Sequence, residues 1–346
     1  MAISSWSAGI IRPVAVAPAG PYQDGAAPGV WTLDEAAFWT KQGLWPTAGN
    51  VFPLGIFSGG NEGGNMTNVI QYVNISTTGN SVDVGDLAVV QGRGANGTIS
   101  SGTRGILAAG GDAGGYSNTI QYMTLATTGT SFDFGDCSGR KIILGGCSNA
   151  TRGIIAGGDV SGTGRVNIVE YITITTTGDA TDFGDLTQVW EGLSGVASTT
   201  RGVFAGSSGL TYNTINYITI ASVGNAVDFG DLNSSRQSAG ACSNSTKGVF
   251  GGGYLLPGSV LTDDVQTITI ASTGDSSSFG TLTVARNYVN GVSSSTRALF
   301  AGGTTGSDSN VIDFLTFAAG GSATDFGDLL TANKQMFSAS AVHGGL

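Results

Sequence analysis

The sequence predicts an all-β fold of six copies of one unit, a six-bladed β-propeller, preceded by a separate arm. Three observations carry that expectation. Hydrophobic residues make up 40% of the chain, in short bursts rather than one long run. Gly accounts for 58 of 346 residues, well above the usual ~7%; with so much apolar content this marks many tight turns rather than disorder. Third, "GIIAGG" at 153–158, followed by "YITITTTGDATDFGDL", recurs nearly unchanged as "GVFAGS…YITIASVGNAVDFGDL" and "ALFAGG…FLTFAAGGSATDFGDL".

The units begin at Gly55, Gly105, Gly153, Gly202, Gly248 and Ala298, spaced 46–50 residues apart, and fill 55–346. A period near 50 made of short strands is one propeller blade per repeat. Each unit reads as four strands. The first is the "GIFSGG" type. A variable loop leads to a β-branched and aromatic segment such as "NVIQYVNIS", which suits a strand. A "TTG" turn then leads into "VDVGDL" or "TDFGDL". A second variable loop precedes a small-residue strand ending in "STR" or its variants. The last unit ends in "SASAVHGGL", which aligns with "NGVSSSTRA", while nothing before Gly55 matches. The final strand, about 338–345, is therefore expected to close blade one beside 55–60 and remove an open sheet edge.

Residues 1–54 differ in composition. They hold six of the seven Pro and four of the five Trp: Trp6, Trp31, Trp39 and Trp45. "TLDEAAFWTKQGLWP" reads as one short helix, with Thr32 and Glu35 as a capping box, Gly43 as a stop and Pro46 beyond it. The rest of this module is an extended arm, expected to serve attachment through its Trp residues.

Two resemblances follow from these residues. The Gly pairs 59–60, 157–158 and 302–303, the downstream aromatics Tyr72, Tyr122, Tyr171, Tyr217 and Phe314, and the basic Arg236 and Arg286 resemble kelch-type repeats. Phe134, Phe183, Phe229, Phe279 and Phe326, with Val84 in the first unit, stand where kelch repeats carry Trp. The segment "GVWTLDEAAFWTKQGLWP" followed by Gly/Thr-rich repeats resembles structural and tail proteins of tailed bacteriophages, of the marine or cyanobacterial type. That resemblance implies a virion protein, a tail fibre, spike or other particle-surface component, oligomeric within the particle. It would be held to other virion proteins through 1–54 and recognise a host-surface glycan or protein. A free lectin-like or adaptor propeller and a glycan-degrading enzyme stay open beside it.

Composition narrows the field. Charged residues are 11%, net charge is −10 and the pI is about 4.4. No basic stripe supports nucleic-acid binding. No run approaches the ~18 apolar residues of a membrane helix, and the N-terminus lacks the pattern of a signal peptide. Cys137, Cys147 and Cys242 have neither disulfide nor zinc spacing, and Cys147 and Cys242 take the place of Val196 and Val292 as small core residues. His343 stands alone, so neither a metal site nor a Ser-His pair is expected, and no cofactor.

Repeated "DFGD" gives the Asp pairs 83/86, 133/136, 182/185, 228/231 and 325/328, expected as turn or strand-end hydrogen bonds or, failing that, as calcium ligands. The cations Arg104, Arg152, Arg201, Lys247 and Arg297 end each repeat, as structural caps or as a ring for anions. Glu170 and the pair Asp263/Asp264 are the carboxylates a depolymerase would use. The two variable loops share one face, where recognition is expected. Candidate binding residues there are Trp190, Arg236, Arg286, Tyr116, Tyr212, Tyr254, Tyr288, Arg140 and Lys141. Trp190 is the leading anchor, with filling of a gap between blades as the alternative.

Overall fold

The computed structural model describes residues 54–94, 96–125, 129–206 and 213–346. The arm with its expected helix, Trp6, Trp31, Trp39 and Trp45, and the loop carrying Tyr212 lie outside the described residues.

Among the described residues all regular structure is β. Each repeat contributes one antiparallel sheet. Sheet 1 runs Phe337–Ser340, Leu54–Ser58, Val69–Asn74, Val82–Asp86, and sheet 4 runs Ser194–Ala197, Arg201–Ala205, Thr214–Thr219, Val227–Asp231. Sheets 3, 5 and 6 repeat the order within 145–190, 240–281 and 290–329. Sheet 2 has Arg104–Asp112, Gly115–Thr124 and Phe132–Ile142, with its innermost segment bridged at Ser100 and Gly105.

Alternation along a strand sends side chains to opposite faces, and here each face meets a different neighbour. Phe57 packs with Leu299, Ile312 and Phe326 of sheet 6. Ile56 packs with Leu107, Met123 and Leu125 of sheet 2. Cys147 and Cys242 are buried in such clusters. The innermost strands are wholly buried, and outer strands are half exposed.

The last strand pairs with the first, Gly55 opposite Ser340 and Ser58 opposite Phe337. It is shorter than the sequence suggests, because the chain turns inward after Ser340. Gly344 N–H donates to Ser243 O, and His343 Nε2 lies 3.1 Å from Ser100 O. Residues 96–100 fill the middle from sheet 2. Asn96, Gly97 and Thr98 bridge Gly145, Gly195 and Ser338. Gly97 is obligatory: its φ is +115°, and a Cβ would lie 2.0 Å from Gly146 O.

Neighbouring sheets are joined by three repeated devices. In the first, the "TG" turn of one repeat lies on the "DFGD" strand of the preceding one. Gly178, Gly224 and Gly274 N–H donate to Phe134, Phe183 and Phe229 O, and Gly79 N–H donates to Phe326 O, taking the series from sheet 6 to sheet 1. The glycine of "DFGD" is needed because the turn crosses over it: a Cβ on Gly184 would lie 2.6 Å from Gly224. In four of the five pairs the second Asp takes part through its backbone N–H. Asp136, Asp185, Asp231 and Asp328 N–H donate to Asp179, Asn225, Asp275 and Asn80 Oδ1. The repeated wording thus covers the outer edge of every sheet that has it.

In the second device, one buried polar residue on each third strand accepts a backbone N–H from the loop after "GDL" of the preceding sheet. Gln71, Gln121, Glu170, Asn216, Gln266 and Asp313 accept from Leu330, Val89, Ser138, Thr187, Asn233 and Thr283.

The repeat-end cations form the third. Arg104, Arg152, Arg201 and Arg297 lie 4.5–4.8 Å from the ring centroids of Tyr122, Tyr171, Tyr217 and Phe314. Each donates to a carbonyl of the next sheet: Ile174, Ile220, Ile270 and Ile75. Lys247 does the same with Phe279 and Phe317 O. Identical placement therefore serves a latch between sheets. In sheet 1 the equivalent position is Leu54, so the step from sheet 1 to sheet 2 has no such latch.

Candidate functional site

The two variable loops meet at one end of the molecule. The loop after the Gly pair of one sheet bridges the loop after "GDL" of its neighbour: Asn61 with Lys334, Gly111 with Gly92, Asp159 with Ile142, Leu255 with Arg236, Thr304 with Asn287.

Six residues after the Leu or Cys of "GDL", each repeat places a residue in the left-handed region. These are Arg93, Ile143, Gly192, Ser238, Tyr288 and Gln335, with φ between 55° and 71°. They are joined head to tail. Arg93 N–H donates to Gln335 O, Ile143 to Arg93, Gly192 to Ile143, Ser238 to Gly192, Tyr288 to Ser238 and Gln335 to Tyr288, over 2.7–3.3 Å. The six bonds form a closed cycle through all six repeats. For an L-residue this backbone conformation costs roughly 1–2 kcal/mol, and a β-branched residue such as Ile143 is the least suited to it. The cycle holds it because both the N–H and the C=O of every member are engaged.

The cycle borders a small cavity of about 30 Å³. Ile143, Leu144, Leu193, Val289 and Met336 form apolar wall; Arg93, Asn96, Ser238, Tyr288, Asn290 and Gln335 supply polar groups. Asn96 Nδ2 donates to Ala239 O at 2.6 Å and Ser194 Oγ at 3.1 Å. Asn96 Oδ1 is buried with no hydrogen-bond partner among the described residues. Tyr288 packs edge-on against Tyr254, ring centroids 6.4 Å apart, and burial raises its hydroxyl pKa. Tyr116 donates to Asp159 Oδ2 at 2.7 Å, which raises its pKa too. Arg140 Nε donates to Tyr116 O.

Four of the expected binding residues lie elsewhere, which corrects the picture of an exposed ring of anchors. Trp190, Arg236, Arg286 and Lys141 stand four residues after the Leu or Cys of "GDL", with Gln91 and Asn333 as their counterparts, and all six are at most 1% exposed. The position points into the seam between sheets. Trp190 sits among Phe183, Leu186, Leu193 and Phe204, so the gap-filling alternative describes it. Lys141 pairs with Glu170, both buried. Arg286 pairs with Asp313 at 3.1 Å, both fully buried. Arg236 donates to Asp264 O and Oδ2; burial lowers its pKa and Asp264 opposes that. Two carboxylates considered for a hydrolytic centre, Glu170 and Asp264, are thus engaged with cations.

Of the expected set, Tyr116, Arg140, Tyr254 and Tyr288 remain at the variable end. Sequence reasoning does not single out Arg93, Asn96, Ile143 and Gln335. Apart from Asn96, their signal is a shared offset from "GDL" with no shared residue type, which composition does not reveal.

No protein-family model matches the sequence, and no curated protein is significantly similar to it.

Proposed function

We propose that the chain is a six-bladed, kelch-like β-propeller that acts without catalysis as a recognition component on the particle of a tailed bacteriophage. Residues 1–54 attach it to other virion proteins, and the variable-loop end faces the host surface. The observation that carries the recognition reading is a division of labour. The repeated residues are consumed in contacts between sheets, whereas the two sets of variable loops share one end, where those after "GDL", one from each repeat, gather around one small cavity. A rigid scaffold presenting variable loops is the usual design of a binding protein. The cyclic bonding of the six repeats supports the propeller reading, and the resemblance of 29–46 and of the repeat wording supports the virion reading.

Mass spectrometry of purified particles tests the virion reading: the chain is expected among the structural proteins, and its absence overturns that reading. Binding of the purified chain to host cells tests recognition. Removal of residues 1–50 is expected to abolish incorporation into particles while leaving cell binding intact.

A further inference from the structure

At the end opposite the variable loops, the innermost segments are joined by a chain of hydroxyls. Ser148 Oγ donates to Ser100 O, Ser100 Oγ to Ser340 O, Ser340 Oγ to Ser293 O, Ser293 Oγ to Ser243 O and Ser243 Oγ to Ala197 O, over 2.7–2.9 Å. The chain visits sheets 3, 2, 1, 6, 5 and 4 in turn. It stays open between sheets 4 and 3, because Ala197 has no hydroxyl to continue it to Ser148.

The segment after the closing strand lies at that opening. A Cβ on Gly344 would crowd Ala197 O, and one on Gly345 would collide with Ser148 O. Gly344 N–H donates to Ser243 O at 2.8 Å. His343 fixes the rest. Its Nδ1 accepts Gly345 N–H at 3.1 Å, and its Nε2 lies 3.1 Å from Ser100 O and 3.3 Å from Ser148 Oγ. One protonation state satisfies these contacts. Nδ1 must be bare to accept, so the proton sits on Nε2 and donates to Ser100 O. A second proton would go on Nδ1 and face the Gly345 N–H, two donors with no acceptor between them.

The surroundings offer no charge to hold an imidazolium. Residues 96–101, 145–148, 194–197, 240–244, 290–293 and 337–346 contain no Asp or Glu. Their other titratable side chains, Cys147 and Cys242, are buried in apolar clusters, and burial keeps both thiols neutral. Arg104 and Arg152, which follow Ser100 and Ser148 in the chain, are turned to Tyr122 and Tyr171.

We propose that His343 makes residues 343–346 an acid-sensitive clasp: when neutral it pins them across the open step of the hydroxyl chain and so secures the closing strand Phe337–Ser340, and when protonated it frees them while the sheets stay formed. This goes beyond the recognition reading and does not rest on it.

The test follows hydrogen exchange of the Gly344 and Gly345 amides in the full chain at pH 7.5 and pH 5. Each is referred to an unstructured peptide of residues 337–346 at the same pH, and the Val203 amide reports global opening. The ring titrates at 6.5 when free and at about 4 when seated, so opening of the clasp is expected to rise roughly 30-fold between the two pH values. At both, the two glycine amides should be at least about tenfold less protected than Val203, and low urea should speed Val203 alone. His343→Gln should remove the pH response of the glycine amides. If that variant does not fold, the parent chain still decides, because His343 is the only His and its ring signals are unambiguous. At pH 7.5 nitrogen NMR should show a neutral ring with its proton on Nε2. Glycine amides indifferent to pH, an equal response in His343→Gln, exchange that follows Val203 and urea, or a ring proton on Nδ1 overturns the proposal.

Discussion

The backbone N–H of Arg93 donates to the carbonyl of Gln335 at 3.0 Å, across 242 positions of sequence. That bond joins the loop of the first repeat to the loop of the last. With Gly55 opposite Ser340 and Gly79 on Phe326 O, it closes the series of sheets at three separate levels. Long-range bonds of this kind make the two ends of the repeat region interdependent.

Deletion of 337–346 is therefore expected to cost the fold rather than merely shorten it. It exposes the buried edge of Leu54–Ser58 and leaves Phe337's neighbours Ile56 and Leu107 uncovered. Size-exclusion chromatography should show aggregated or insoluble protein. A monodisperse truncated chain with unchanged melting would contradict closure.

Lys141 and Glu170 form a buried pair, and Glu170 also accepts Ser138 N–H. Lys141→Gln alone leaves a buried carboxylate unpaired and should cost about 3–5 kcal/mol in urea unfolding. The double change Lys141→Gln with Glu170→Gln should recover most of it. The chain already uses that solution at the equivalent seam, where Gln121 Nε2 donates to Gln91 Oε1 at 2.6 Å.

Leu54 stands where five other repeats carry a latch cation, with Tyr72 in the place of the stacked ring. Leu54→Arg should therefore stabilise the chain by roughly 0.5–1 kcal/mol, and Arg152→Ala should destabilise it by a similar amount or slightly more. Thermal melts of the two variants check both signs.

His343 is buried, with Nδ1 accepting Gly345 N–H and Nε2 against Ser100 O. Burial pulls its pKa from 6.5 down to about 4. As pH falls through the window between those values, the unfolded chain takes up a proton that the folded chain refuses. This group's contribution is thus full above about pH 6.5 and declines toward pH 4, by roughly 3 kcal/mol in all. His343→Gln, which keeps one donor and one acceptor, should flatten the pH dependence of stability in that window. An unchanged slope would place the sensitivity on the carboxylates instead.

Much of the fold is legible because it is written six times. The "TG" turn and the "DFGD" strand recur because each needs the other: Gly184 has no room for a Cβ beneath Gly224. The pairing of the last strand with the first can be read from the frame of the repeat, though not its end at Ser340. The site is less legible. Trp190, Arg236 and Arg286 look like surface anchors because aromatic and Arg residues in variable loops commonly are, but their shared offset places them in seams, where burial of each is matched to its neighbour. Asp313 stands where the fourth repeat carries Asn216, and it is this carboxylate, 27 residues from Arg286, that makes the Arg tolerable inside. Arg93, Ile143 and Gln335 carry no common residue type, so only the backbone cycle reveals that they belong together.

Amide hydrogen exchange at the six residues of the cycle tests closure most directly. Arg93, Ile143, Gly192, Ser238, Tyr288 and Gln335 N–H should all be protected, and to a similar degree, because each bond is held by the other five. If the Arg93 and Gln335 amides exchange as fast as exposed loop amides while the other four stay protected, the ring is open between its last and first repeats.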